Sequence, residues 1–330
     1  MISLFDIEFQ KIEHQCREFV EAVGLPDEIS FEAIFQSTKF GSVRQVFKVT
    51  IAGQIFALKY DSHGGETGRL RAEFAIVQRL FEHFKSQEKV AVPEPMYLSP
   101  SGEFFVLRYV GDRLATTTIS NDANSTKIGQ VYRRAGLWLH HLHDCSPKQE
   151  VALFPNWMLE AVSEHMTQDP QADPETLNRH LDVFAAEAAQ FQGRSGLKVL
   201  SHGDFHTSNM ILAPGVTYGF DFTETAEKLP EYDIVDFLKS DVLRRDDVTG
   251  VDRSGVSRHC KDMFLKGYRH PVDLNVLDFC LRGRLLIDWS GITQARYAKS
   301  AFQRNKFHQL EKRLRIAFEA HPRLDKFSSA

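Results

Sequence analysis

The chain has 330 residues, 42% of them hydrophobic and 25% charged, and a formal net charge of −4. That is enough for two moderate domains or one large bilobal fold, and the mild acidity argues against nucleic acid or an anionic membrane surface as the main partner. Its four cysteines, Cys16, Cys145, Cys260 and Cys280, form no CxxC pair, so neither structural zinc nor a disulfide framework is expected, as suits a reducing cytosol.

At the front, Asp6, Glu8, Lys11 and Glu13 interrupt any apolar stretch of the kind a signal peptide needs. No later window reaches the ~20 apolar residues of a membrane span. The expectation is a cytoplasmic protein that uses no membrane; its oligomeric state is not legible. Residues 3–23 read as an amphipathic helix capped by Ser3, with Phe5, Phe9, Ile12, Cys16, Phe19 and Val20 on one side and Gly24-Leu25-Pro26 as the stop. Three strand-like runs follow: Phe31–Gln36, the alternating Val43–Ile51, and Gln54–Tyr60, the last two joined by an Ala52-Gly53 hairpin turn. From Gly68 to Lys85 the period turns helical. Pro93 and Pro95 break the chain, and Phe104–Val110 then reads as a buried strand ending at Gly111.

Beyond Gly111 helices dominate. Residues 127–144 place Ile128, Val131, Tyr132, Ala135, Trp138, Leu139 and Leu142 at helical spacing, and Asp173-Pro174-Glu175 marks another helix start. Residues 198–222 form the one strand-like island of this half, and helical periodicity resumes at Tyr232. We therefore expect an amino-terminal part of residues 1–110, with residues 1–24 as its leading helix, and a helical part of residues 111–330.

The most informative stretch is Ser201-His202-Gly203-Asp204-Phe205-His206-Thr207-Ser208-Asn209, with Asp221-Phe222 beyond it. Asp204 and Asn209 are five positions apart, and Asp221 lies twelve further on. Phosphoryl transfer from a metal nucleotide needs such a set: a carboxylate to take a hydroxyl proton, and hard oxygen ligands for Mg²⁺. An Asx-rich surface turn is the bland alternative for Asp204 and Asn209, and a helix-capping Asp for Asp221. The apolar flanks Val199-Leu200 and Met210-Ile211-Leu212 weigh against a plain surface loop.

Lys59 ends the apolar run Phe56-Ala57-Leu58, where its ammonium could meet phosphate oxygens. Glu73 in the next helix could fix it through an ion pair, with Glu66 a competitor. The turn containing Ser37, Thr38, Gly41 and Ser42 offers hydroxyls and amides to nucleotide phosphates, although with one glycine a plain hairpin loop is nearly as good a reading. Around Leu107 and Tyr109 the strand could lend its backbone to an adenine edge.

Together these residues resemble the aminoglycoside phosphotransferase and choline kinase group, over about residues 30–290. The resemblance rests on Ala57-Leu58-Lys59, Glu73, His202-Gly203-Asp204-Phe205-His206 with Asn209, Asp221-Phe222, and Pro230-Glu231-Tyr232-Asp233-Ile234. It implies an α+β, bilobal protein-kinase-like fold: a small antiparallel-sheet lobe with one helix that binds ATP, and a mostly helical substrate lobe. It also implies γ-phosphoryl transfer to a small-molecule hydroxyl, with Asp204 as base, Asn209 and Asp221 as Mg²⁺ ligands, Lys59 on the α/β-phosphates, Glu73 orienting Lys59, and Asp233 bracing the catalytic loop. This chain departs from the group at Thr207-Ser208, where Pro-Gly is frequent, and at Thr223, where Gly follows the Asp-Phe pair.

Three rival functions share some of these residues. A Ser/Thr protein kinase of related fold would act on a polypeptide, whereas the helical insertion of residues 155–192 favours a closed small-molecule pocket. A nucleotide-binding pseudokinase scaffold would be expected to lack one of Lys59, Asp204 or Asp221, and all three are present. His202, Asp204 and His206 resemble a metal-hydrolase cluster but lack a third or fourth soft ligand at workable spacing. The acceptor is open: an amino alcohol, a sugar, an amino acid or an aminoglycoside-like molecule. The acidic residues of 221–247 could attract a cationic amine or form a solvated face, and Arg282 and Arg284 could greet an anion or pair with carboxylates.

Overall fold

The computed structural model describes residues 9–37, 44–122, 124–243 and 248–319. In chain order the first elements are α1 (Phe9–Val23), β1 (Ile29–Gln36), β2 (Arg44–Ile51), β3 (Gln54–Asp61), α2 (Gly64–Thr67), α3 (Arg69–Phe84), β4 (Val90–Ala91), β5 (Pro95–Leu98) and β6 (Phe104–Arg108). Next come α4 (Ala115–Asn121), α5 (Ser125–His143), β7 (Gln149–Ala152), α6 (Asn156–Met166), α7 (Pro174–Phe191), β8 (Ser195–Ser201), β9 (Met210–Leu212), β10 (Thr217–Gly219) and β11 (Ala226–Lys228). The remainder is helical: α8 (Pro230–Leu238), α9 (Arg258–Gly267), α10 (Leu274–Ser290), α11 (Gln294–Lys299) and α12 (Ala301–Glu319). The chain divides into two compact units, Met1–Arg113 with Asn209–Glu224, and Leu114–Ser208 with Thr225–Ala330.

The first unit is built on an antiparallel sheet of order β1-β2-β3-β6-β5. The β2–β3 hairpin closes through Ala52 and Gly53, both at positive φ (46° and 77°), the left-handed pairing that a two-residue turn requires. Alternation then sorts the side chains. Phe47, Val49, Ile51, Phe56, Leu58, Tyr60, Phe104 and Val106 face Ile12, Cys16, Phe19 and Val20 of α1 in one buried cluster. Helix α1 stops at Gly24 (φ 70°), where the Leu25 N–H donates back to the Val20 carbonyl. The start expected at Ser3 lies outside the described residues. On the opposite face, Leu70 and Phe74 of α3 pack on Phe105. A second, small sheet of order β4-β10-β9 belongs to this unit.

The second unit is mostly helical. Helix α7 begins as its sequence dictates, with the Asp173 carboxylate accepting from the Thr176 N–H at 2.9 Å and Pro174 in the first turn. Helices α5 and α9 pack backbone to backbone: a Cβ on Gly136 would overlap the Phe264 carbonyl, and one on Gly267 the Arg133 carbonyl. The strand count of this unit exceeds the expectation, because β7 and β11 flank β8 in a sheet of order β11-β8-β7. Both are short, Gln-Glu-Val-Ala and Ala-Glu-Lys, and neither shows the alternation that marks a half-buried strand. Among the described residues no helix is long and apolar enough to cross a membrane.

Helix α8 carries one electrostatic liability. Burial, reinforced by the Asp273 charge, pushes the Glu231 carboxyl up to about 7, and its Oε2 has no hydrogen-bond partner among the described residues. A carboxyl raised in the folded form keeps its proton while the unfolded chain loses it, so stability falls as pH rises from about 4.5 to about 7. Glu231→Gln is therefore expected to stabilise the protein at pH 8, by on the order of 1–3 kcal/mol, and to change little at pH 4. Thermal melts of both proteins at the two pH values check this; equal shifts at both would refute it.

Candidate active site

Strand β3 places Lys59 on the face opposite the α1 core, because Phe56, Leu58 and Tyr60 take the core side. One turn into α3, Glu73 meets it: Lys59 Nζ donates to Glu73 Oε1 at 2.7 Å and Oε2 at 2.9 Å. Glu66 lies in α2 and is exposed, so Glu73 is the partner. Lys59 Nζ also donates to Asp221 Oδ1 at 2.7 Å, across 162 positions of sequence. One ammonium is thus shared by two carboxylates. Burial alone would lower the Lys59 pKa, but Glu73 and Asp221 outweigh it and the net direction is up, so the ammonium stays charged. Glu73 is buried at 2% exposure, whereas the Asp221 side chain is 36% exposed. Asp221 has φ 68°, a left-handed conformation that few non-glycine residues adopt, and such strain gathers at functional sites.

Register extends this face. Lys59 pairs with Phe105 and Ala57 with Leu107, so Ala57, Leu107 and Tyr109 continue the row that begins at Lys59. The Tyr109 N–H donates to the Ile55 carbonyl at 3.2 Å, and Lys48 Nζ lies 5.5 Å from the Tyr109 ring centre. The Ser37 N–H donates to the Arg44 carbonyl at 3.0 Å. Thr38, Gly41 and Ser42 lie outside the described residues. Asn209 ends a short 3-10 turn, Thr207–Asn209, and its carbonyl accepts the Phe220 N–H at 3.2 Å, which ties it to the strand pair β9–β10 beside Asp221.

The loop that carries Asp204 hangs from one buried carboxylate. Asp233 of α8 accepts from Ser201 Oγ at 2.8 Å, from the His202 N–H at 2.8 Å and from the Gly203 N–H at 3.0 Å. Gly203 is at φ 84°, where a side chain would be strained. Asp233 also meets His143 Nε2 at 2.9 Å, and His143 Nδ1 meets the Tyr268 hydroxyl at 2.8 Å. With Nε2–H turned to the carboxylate, the hydroxyl donates to Nδ1 and all three groups are satisfied. Burial would raise the Asp233 pKa; the His143 hydrogen bond, neighbouring histidines and loop amides reverse that and hold it low. Asp204 itself has a side chain 49% exposed, 3.4 Å from His206 Nε2. Phe205, next to it, is buried between Trp138 of α5 and Phe237 of α8. The loop is pinned on both sides of a carboxylate left open to solvent.

The sequence model of the phosphotransferase enzyme family matches residues 40–268, more than half of the chain. The chain belongs to that family. None of the curated proteins is similar enough to match this phosphotransferase. Among solved structures it is similar to spectinomycin phosphotransferase in complex with AMP, at 16% identity and TM-score 0.57, over 93% of this chain and 98% of that one. It is also similar to aminoglycoside 2′-phosphotransferase-IIIa in complex with GDP, at 13% identity and TM-score 0.59, over 91% and 97% of the two chains. A third is glucosamine kinase in complex with glucosamine, ADP and inorganic phosphate, at 16% identity and TM-score 0.58, over 90% and 83%. These likenesses establish the expected α+β, protein-kinase-like fold, with its antiparallel sheet in the front and a helical remainder.

Several open alternatives close on this phosphotransferase's geometry. His202 is fully buried with its ring against Trp138 and Phe205, while the His206 side chain is 38% exposed. Among the described residues no group of three or more His, Cys, Asp or Glu is arranged to hold a metal ion. Arg282 is 2% exposed and donates to Glu187 at 2.5 Å, and Arg284 donates to Asp236 at 2.8 Å. Both arginines pair with carboxylates. Sequence reasoning missed His143 and Tyr268, which complete the Asp233 network. His143 was visible only as one of three histidines at the end of α5, and nothing in the linear pattern says which one turns inward.

Proposed function

We propose that the protein transfers the γ-phosphoryl group of Mg·ATP to a hydroxyl of a small molecule: an amino alcohol, a sugar, an amino acid or an aminoglycoside-like compound. The observation that carries this reading is the single ammonium of Lys59 bridging Glu73 and Asp221. The family and the neighbours that bind nucleotides and hydroxylated small molecules support it.

The donor set fits a hard divalent cation, since it offers only oxygen, from the Asp221 carboxylate and the Asn209 amide. Lys59 carries one positive charge between two carboxylates, and of these the Asp221 side chain is the more accessible, 36% exposed against 2% for Glu73. Mg²⁺ held by Asn209 and Asp221 would neutralise phosphate charge. Lys59 then exchanges its Asp221 contact for the α/β-phosphate oxygens, and Glu73 keeps it in place. Leu107 and Tyr109 would line the adenine edge, and Ser37, Thr38, Gly41 and Ser42 would offer hydroxyls and amides to the phosphates. Asp204 orients the acceptor hydroxyl and takes its proton as the phosphoryl group moves. Positioning and charge neutralisation supply most of the acceleration.

A thermal-shift measurement with Mg²⁺ and a non-hydrolysable ATP analogue tests the nucleotide half. At a hundred times Kd a bound ligand adds about 2.7 kcal/mol, a rise of about 4 °C for a protein this size. The rise is expected only when both components are present, and Lys59→Met is expected to abolish most of it. A metal-independent rise, or none, would sink the reading. Repeating the scan with a panel of hydroxylated metabolites then identifies the acceptor.

A further inference from the structure

The turn between Asp204 and Asn209 reads Thr207-Ser208, two residues that leave the backbone free where a proline would fix φ. Something other than local stiffness must hold it. The Thr116 Oγ1 lies 2.7 Å from Thr207 Oγ1 and 2.9 Å from Ser208 Oγ. Thr116 sits in the first turn of α4, and that helix is anchored through Ala115 and Ile119, at 0% and 4% exposure. Thr207 is itself buried at 8% exposure, and the Ser208 N–H donates to His206 Nδ1 at 3.2 Å. One hydroxyl donates once and accepts more than once, so Thr116 can serve both partners together.

We propose that Thr116 is a positioning residue for phosphoryl transfer: its hydroxyl clamps Thr207 and Ser208 and so fixes the short turn that delivers Asn209 to the metal. This role rests on the proposed function, in which Asn209 is a metal ligand. Thr116 touches neither nucleotide nor acceptor in this account; it acts through the turn. Because Ser208 is exposed and Thr116 only half-buried, removing the hydroxyl should cost the fold little and show in the metal dependence instead.

Thr116→Val exchanges the hydroxyl for a methyl at nearly constant shape, and Thr116→Ser retains it. Amide hydrogen exchange of residues 207–210 and the Mg²⁺ dependence of ATP-analogue binding by calorimetry are measured for the wild type and both variants. The valine protein is expected to exchange faster at those amides and to need about five- to tenfold more Mg²⁺ for half-maximal binding, with binding at saturating metal and Tm nearly unchanged. The serine protein is expected to follow the wild type. Unchanged metal dependence in the valine protein overturns the proposal, as does a serine protein that behaves like valine. A wild type that binds no nucleotide in a metal-dependent way instead sinks the proposed function, and this role with it. The two failures differ in whether the wild type binds.

Discussion

Asp204→Asn is expected to lower turnover by about 10²–10⁴-fold while leaving the affinity for Mg·ATP within about twofold of wild type. The carboxylate is half-exposed, its loop is pinned through Phe205 and the Asp233 bonds to Ser201, His202 and Gly203, and the asparagine keeps its shape. The substitution therefore removes a proton acceptor and little else. Steady-state kinetics on an identified acceptor, with calorimetry of nucleotide binding beside it, makes the check. Near-wild-type turnover would remove Asp204 from the chemistry. A collapse of nucleotide binding would make it part of the nucleotide site.

The second large effect belongs to Asp233. Asp233→Ala strands two backbone N–H groups, the Ser201 hydroxyl and His143 in a site where the carboxylate is 1% exposed. Removing one partner of such a buried charged network costs about 3–5 kcal/mol. Turnover is expected to fall as well, because the lost bonds set the path of the loop just before Asp204. The pH dependence has a definite sign. The folded carboxyl is held below its unfolded value, so its stabilising contribution is present above about pH 4 and fades as pH falls through the lower folded value. The gap in stability between wild type and Asp233→Asn should accordingly be smaller at pH 3 than at pH 7, as chemical denaturation at each pH would show. A gap that stays constant would mean that the charge on Asp233 is not what holds the loop.

Much of the fold was legible because alternation and helical period reflect burial directly. The β2–β3 hairpin, its Ala52-Gly53 turn, the α3 face and the start of α7 all follow from one-dimensional pattern and local turn or cap chemistry. The short strands β7 and β11 escaped because three or four residues at the edges of a small sheet, half or more of them polar, are too few to carry a period. The Asp204, Asn209 and Asp221 candidates stood out because acidic and amide side chains between apolar runs are costly without a purpose. By contrast, the choice between Glu66 and Glu73 turned on α3: Glu66 precedes that helix on exposed α2, whereas Glu73 lies one turn inside it on the face that covers the sheet.

What the sequence determined by itself was the kind of chemistry on offer, because residue identity and spacing set which donors, acceptors and charges exist. What only the tertiary structure decided was who shares them. Lys59 and Asp221 are 162 positions apart, and His143 reaches Asp233 across 90. Arg284, open in the sequence to an anionic ligand, is paired with Asp236 instead. Such pairings depend on distances that follow no pattern along the chain, since a hydrogen bond forms only where the fold brings two groups within about 3 Å and an ion pair within about 4 Å.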